Sequence, residues 1–286
     1  MMQRILNNIL RQDSGQLQAV LGLDPSSARI EVQCLLQQVL QVKRAYLFAH
    51  PEHILNDDEE AAYQVLLQRR LGGEPIAYIL EKREFFGMNL TVNSATLIPR
   101  PDTELLVELA LQRMDSGDMQ ILDLGTGSGA IALALARQHP AAKIWACDAS
   151  GAALAVAQHN ARLLNIGNVN FMQSNWFADM PNLKFDLIVS NPPYIAENDT
   201  HLSQGDVRFE PLSALASGAD GLDDIRRIIS HAAAYLEKNG WLILEHGYDQ
   251  AVQVRALLQE KGFAEVFSAQ DISGIERCTG GKLLCA

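Results

Sequence analysis

Asn191-Pro192-Pro193-Tyr194 follows Phe185-Asp186-Leu187-Ile188-Val189-Ser190, an apolar run that reads as a buried strand, so a stiff tetrapeptide stands at a strand exit. Two consecutive prolines lack N–H donors and have fixed φ, which leaves carbonyl oxygens pointing outward on a rigid frame. The Asn side chain adds another acceptor, and the Tyr ring can cover one face of a flat group. Acceptors so arranged hold an NH2 by both hydrogens, as in an amide or an exocyclic amine. Asn-Pro and Pro-Pro also mark ordinary turns, so the motif gains meaning only beside a second feature.

That feature is Ile121-Leu122-Asp123-Leu124-Gly125-Thr126-Gly127-Ser128-Gly129, a strand running into a glycine-rich turn and then a helix. The glycines follow G-x-G-x-G, whereas the dinucleotide fingerprint is G-x-G-x-x-G and serves a pyrophosphate. Asp123 is expected to set a carboxylate beside the loop, which suits a cationic or amine-bearing ligand better than a diphosphate. Asp148 closes the next strand, where a carboxylate can accept both hydroxyls of a ribose. S-adenosylmethionine meets these demands: free ribose hydroxyls, no phosphate, and a sulfonium with an activated methyl. Ligands of open α/β sheets bind beyond the carboxyl ends of the strands, so Asn191 would share that edge. One pocket would hold a methyl donor beside an amide clamp.

The elements that must position these residues come from periodicity. From Met119 onward, strand-like runs at Gln120-Leu124, Lys143-Cys147, Val169-Gln173, Phe185-Ser190 and Trp241-Glu245 alternate with helical patterns at Ala130-Gln138, Ala152-Leu164, Leu222-Tyr235 and Gln250-Lys261. Alternation of this kind implies a parallel sheet with helices on both faces. Two last runs, near Ala264-Ser268 and Lys282-Cys285, are expected to close it. Residues 195–217 have no clear pattern, and a segment that long is often a functional loop. Residues 1 to about 71 show helical spacing only. Asp24-Pro25 opens one helix, with Ile30, Cys34, Leu35, Val39 and Leu40 as its stripe. Asn56-Asp57-Asp58-Glu59 opens another as a capping box, running through Ala62, Val65 and Leu66 to Gly72-Gly73. Between Pro75 and Leu97 the period becomes that of strands around Gly87, a hairpin. Asp102 or Thr103 then caps a helix bearing Leu105, Leu106, Leu109 and Leu111.

With 286 residues the chain can bury a large core, and 48% hydrophobic and 20% charged residues are ordinary for a globular protein. A net charge of −11 disfavours sequence-independent capture of a phosphate backbone. Cys34, Cys147, Cys278 and Cys285 lack paired spacing and read as reduced thiols of a cytoplasmic protein. His50 and His53 have no further ligand nearby, so no metal site is expected. No run is long enough to span a bilayer.

These motifs together resemble the release-factor glutamine methyltransferases, the HemK/PrmC family. The likeness rests on Gly72-Gly73-Glu74-Pro75 with Tyr78, Leu97-Ile98-Pro99-Arg100-Pro101-Asp102-Thr103-Glu104, Asp123 to Gly129, Asn191 to Tyr194, Gly218-Ala219-Asp220-Gly221-Leu222-Asp223, and Leu244-Glu245-His246-Gly247. The segment from Pro99 to Glu104 discriminates best, because glycine loops are common to such enzymes. The resemblance implies an α/β fold: a seven-stranded Rossmann-like class I methyltransferase sheet with an antiparallel last strand, a small N-terminal helical bundle and a β-hairpin linker. The expected domains are 1–73 for substrate recognition, 74–98 for the hairpin and 99–286 for methyl transfer. It implies methylation of N5 of the glutamine in the Gly-Gly-Gln motif of peptide chain release factors 1 and 2, by a cytoplasmic monomer with no membrane or direct nucleic-acid partner.

Carried onto matching positions, Gly125, Thr126, Gly127, Ser128 and Gly129 would line S-adenosylmethionine, Asp148 would take the ribose, and Trp176 would pack near the adenine. Asn191 would touch donor and acceptor, with Pro192, Pro193 and Tyr194 framing the glutamine. The catalytic assignment is Asn191, Pro192 and Tyr194. One departure is Glu81, where the family usually has glycine, which puts the local turn in question. Trp176 reads equally well as core, Arg100 as a solvated turn residue, and Tyr78, Phe85 and Phe86 as hairpin packing; His246 is read as structural. The same clamp would serve adenine N6 or guanine N2, so a nucleic-acid methyltransferase is the competing enzyme, and a donor-binding module without catalysis the competing class.

Overall fold

A computed structural model describes residues 5–115 and 117–284. Its contacts divide into two compact units: one runs to Lys82 and takes in Gln204–Phe209, and the other runs from Arg83 without that segment.

The first unit is helical: α1 (Leu6–Leu21), α2 (Pro25–Leu40), α3 (Arg44–Ala49), α4 (Asp57–Leu71) and α5 (Ile76–Ile79). Asp24 accepts the N–H groups of Ser26 and Ser27 at the start of α2, and Asn56 and Glu59 cap α4 reciprocally. The buried stripes differ from those expected. Helix α2 buries Ala28, Val32, Leu35 and Leu36 while Ile30 is 48% exposed, and α4 buries Tyr63, Leu67 and Arg70 while Val65 is 61% exposed. Both stripes obey helical spacing, and packing within the bundle selects between them. Residues Ile76–Ile79 are a helical turn instead of a strand, with Ile79 N–H donating to Pro75 O.

In the second unit the hairpin reduces to β1 (Arg83–Phe85) and β2 (Met88–Leu90), joined through Phe86 and Gly87 at positive φ, the conformation that two-residue hairpins favour. Then follow α6 (Glu104–Leu111), β3 (Gln120–Leu124), α7 (Ala130–Gln138), β4 (Lys143–Asp148), α8 (Gly151–Leu163), β5 (Val169–Gln173), β6 (Phe185–Ser190), α9 (Asp223–Ala232), β7 (Leu236–Glu245), α10 (Ala251–Glu260), β8 (Phe263–Gln270) and β9 (Glu276–Leu283). Sheet order is β5-β4-β3-β6-β7-β9-β8, with β3 to β7 parallel and β9 antiparallel to both neighbours. Cys285 lies outside the described residues.

Alternate residues of the central strands enter two cores. Ile121, Ile144, Leu187, Val189 and Ile243 face α6 and α7, while Leu122, Leu124, Ile188, Leu242 and Leu244 face α9 and α10. Burial on both faces explains why these strands read as continuous apolar runs. Among the described residues no helix is long and apolar enough to cross a membrane.

Candidate active site

At the carboxyl ends of β3 and β4 the glycine turn is pinned to the sheet, with Gly125 and Thr126 N–H both donating to Cys147 O at 2.9 Å. Gly125 and Gly127 have φ of 73° and 56°, a region open to glycine at little cost. A Cβ on Gly125 would stand 3.3 Å from the Trp176 ring. Asp148 accepts Gly127 N–H through one oxygen and Ser150 N–H through the other, each at 2.9 Å. A carboxylate offers about four lone-pair sites, so it retains acceptors for a ligand.

These groups enclose a cavity of about 560 Å³, lined by Gly125, Gly127, Asp148, Trp176, Asn191 and Pro193 among others, within the usual size of a small-molecule site. Its charged lining side chains are Asp148, Asp224 and Arg227. Two carboxylates against one guanidinium suit an uncharged or cationic nucleoside and oppose a diphosphate. Residues fit S-adenosylmethionine on this count and on the bare backbone at Gly125.

Of the expected donor and acceptor residues, Thr126, Ser128, Gly129, Pro192 and Tyr194 are not among the lining. Thr126 donates its hydroxyl to Asp123 Oδ2 at 2.7 Å. Ser128 is buried, and its carbonyl accepts Asn160 Nδ2 at 2.9 Å. At Gly129, φ is 85° and a Cβ would meet Leu133 and Ala157 at 3.1 and 3.2 Å. Pro192 is buried. Tyr194 donates its hydroxyl to Glu245 Oε1 at 3.3 Å.

The carboxylate expected beside the loop is in fact beneath it. Asp123 is fully buried and accepts Thr126 O–H and Ala132 N–H through one oxygen, with the other unpartnered among the described residues. Burial pushes its pKa up to about 7 against those hydrogen bonds.

Trp176 sits at φ 55° and donates its indole N–H to Asp224 Oδ1 at 3.0 Å. Ser217 donates its hydroxyl to Asp224 Oδ2 at 2.7 Å. The segment at residues 195–217 is also built: Ile195 pairs with Ala216, and Tyr194 and Ile195 N–H both donate to Leu215 O. Pro211, Ser213 and Ala214 from it line the cavity. Arg100 is ion-paired with the buried carboxylate of Glu210, which also accepts Ile98 N–H at 2.9 Å, so its guanidinium is anchored while the side chain stays 34% exposed.

Sequence reasoning missed Asn160, Asp224 and the true role of Thr103. Asn160 is 1% exposed and ties Thr91 N–H and O to Ser128 O. Thr103 takes the N-cap position of α6 without a side-chain cap. Its oxygen instead accepts Asn191 Nδ2 at 3.1 Å. Glu245 is 1% exposed, with Oε1 accepting Tyr194 O–H and Oε2 unpartnered among the described residues, and burial pushes it up to about 7 against that hydrogen bond and the charge of Arg277. His246 is buried, bonded to Gly247 O and Thr279 Oγ1, and held below its ordinary pKa by burial.

Residues 101–208 match the Methyltransferase small domain, and residues 16–80 match the PrmC N-terminal domain. Over 257 residues the chain is 49% identical to the release factor glutamine methyltransferase of Vibrio cholerae serotype O1, covering 90% of each. It is 47% identical over 257 residues to the protein of the same name from Aliivibrio fischeri, again 90% of each. A methyltransferase structure from Pyrococcus furiosus aligns with a TM-score of 0.54 at 17% identity, over 76% of this chain and 98% of that one, and shares the fold. Identity near one half across nine tenths of both lengths reaches well beyond the sheet that all such enzymes share: the chain belongs to the release factor glutamine methyltransferase family.

Proposed function

We propose that this enzyme transfers the methyl of S-adenosylmethionine to N5 of the glutamine in the Gly-Gly-Gln motif of peptide chain release factors 1 and 2, leaving S-adenosylhomocysteine. The observation that carries the reading is the shared cavity: Asn191 and Pro193 line the same space as Gly125, Gly127 and Asp148. When bound, the donor supplies a methyl activated on a sulfonium. Gly125 and Gly127 admit it against bare backbone, Asp148 takes the ribose hydroxyls, and Trp176 flanks the adenine.

An amide nitrogen is a poor nucleophile because its lone pair is delocalised into the carbonyl. Asn191 Oδ1 and the Pro192 carbonyl accept the two amide hydrogens, which raises electron density on nitrogen and aligns it for in-line attack. Asn191 Nδ2 already donates to Thr103, so its Oδ1 is the end left for an acceptor's N–H. Pro193 and Tyr194 frame the side chain. Holding reacting atoms about 3 to 3.5 Å apart supplies much of the acceleration, and the proton leaves after transfer. The enzyme is read as a cytoplasmic monomer, and burial pushes the Cys147 thiol up to about 12, which leaves that thiol unreactive.

The test is incubation with methyl-labelled donor and either release factor or nucleic acid. Label is expected in the glutamine of the release factor, and Asn191→Ala should cut turnover at least about 100-fold with donor affinity within about threefold. Label in adenine or guanine, or an Asn191→Ala variant at the wild-type rate, overturns the reading.

A further inference from the structure

Asn160 lies on α8 and is not among the residues that line the cavity, yet its carboxamide bonds only to segments that reach it. Its Oδ1 accepts Thr91 N–H at 2.7 Å, while Nδ2 donates to Thr91 O at 3.0 Å and to Ser128 O at 2.9 Å. Both N–H groups and the carbonyl are thereby used, in a side chain 1% exposed. Strand β2 ends at Leu90, so Thr91 lies past the hairpin ladder, and Asn160 supplies the donor and acceptor that a strand neighbour would. Ser128 belongs to the glycine turn.

Just beyond Thr91, the residues Ser94, Ala95, Thr96 and Leu97 line the cavity. They are shaped as a turn: Asn93 accepts Ala95 N–H through Oδ1 at 2.9 Å and Thr96 N–H through its carbonyl at 3.0 Å. The far end is fastened too. Ile98 donates its N–H to Glu210 Oε2 at 2.9 Å, and that carboxylate is fully buried and ion-paired with Arg100. Glu210 directly precedes Pro211, another lining residue.

We propose that residues 94–97 are a preset wall of the methyl-donor pocket, and that Asn160 is the positioning residue that fixes this wall against the glycine turn, with Glu210 fixing its other end. This rests on the reading of the cavity as the S-adenosylmethionine site. Neither side chain lines the cavity; each acts through backbone groups. A wall with no strand pairing of its own would have to be ordered as the ligand binds, and that ordering subtracts from affinity. Buried side-chain bonds at both ends order it during folding instead. Asn168 shows what a buried carboxamide does when it only satisfies local backbone: it donates to the carbonyls of Ala136, His139 and Ala142 at 3.2, 3.2 and 3.0 Å, and none of these lines the cavity. Asn160 joins two segments that both do.

The experiment compares the full-length wild type with Asn160→Ala, Glu210→Ala and, as a control, Asn168→Ala. Calorimetry reads the affinity for S-adenosylmethionine and S-adenosylhomocysteine, amide hydrogen exchange of the donor-free protein reads the order of residues 91–98, and kcat is taken at saturating donor. Asn160→Ala is expected to weaken binding of both ligands at least about tenfold and to speed exchange across 91–98, with kcat within about threefold of wild type. Glu210→Ala should likewise speed exchange there and weaken binding, and it carries the test if Asn160→Ala does not fold. Asn168→Ala should lose stability but keep donor affinity within about twofold and exchange at 91–98 unchanged. Unaltered exchange or donor affinity in Asn160→Ala, or in Glu210→Ala where only that variant folds, overturns the proposal, as does an equal loss of affinity in Asn168→Ala; each leaves the proposed function standing. A wild-type enzyme that binds neither ligand overturns both.

Discussion

Trp176 carries two unusual features at once, a left-handed backbone and a half-buried indole whose N–H is satisfied by Asp224. A bulky residue at positive φ persists only when its surroundings hold it there: Ser174 donates its hydroxyl to the Trp176 carbonyl at 2.8 Å, and Asp224, itself bonded to Ser217, fixes the indole. Asp224→Ala is therefore expected to weaken donor binding about tenfold, or about 1.4 kcal/mol, with kcat at saturating donor nearly unchanged. Titration calorimetry separates the two effects. A loss of kcat with unaltered affinity would contradict the assignment of Trp176 to the donor side.

Glu81 and Gly221 show what single backbone positions do for whole elements. Glu81 has φ 53° just after α5, so the chain turns there in a conformation that costs a side chain roughly 1–2 kcal/mol. Glycine takes up this conformation without that cost. Glu81→Gly should stabilise the helical unit by roughly 0.5 kcal/mol after the extra chain entropy of glycine is counted, measured by urea unfolding. At Gly221 φ is 77° and a Cβ would stand 2.2 Å from Tyr194 O, a backbone atom that cannot yield as a flexible side chain can. Gln250 Nε2 donates to the same Tyr194 carbonyl at 3.0 Å. Gly221→Ala should therefore displace the end of the Asn-Pro-Pro-Tyr segment, lower thermal stability by at least about 2 kcal/mol and reduce methyl transfer more than donor binding. The glycine-rich motif before α9 is thus a seat for the tetrapeptide, 27 positions away in Tyr194 and Gly221 terms only through the fold.

Across the whole molecule, Asp123 and Glu245 set a pH dependence. Burial raises both from ordinary values of 3.8 and 4.5 to about 7. Between those limits the folded chain binds more protons than the unfolded chain, so stability falls as pH rises from about 4 toward 7 and levels off above. Depressed carboxylates such as Asp220, held to about 2 by Arg226, act with opposite sign but at lower pH. His246, held below its ordinary pKa by burial, opposes the trend near 6.5. Urea unfolding at pH 5 and pH 8 should show wild type less stable at pH 8, and Asp123→Asn should narrow that difference. An unchanged difference would mean that Asp123 is not the group responsible.

Strand positions, the glycine turn and the tetrapeptide were legible in the sequence because local chemistry dictates them. Runs buried on both faces stay apolar, glycine marks positive φ, and consecutive prolines are stiff wherever they stand. That the central strands run parallel also follows, since parallel neighbours need helical crossovers, whereas their order in the sheet does not. What local chemistry cannot choose is a partner. Which stripe of α2 and α4 turns inward, whether Asp123 faces ligand or core, and whether Thr103 caps its own helix or serves Asn191 each depend on groups distant in sequence. Thr103 is 88 positions from Asn191 in the chain and 3.1 Å from it in space, and only the sheet that brings β6 and β7 together beside α6 decides that contact.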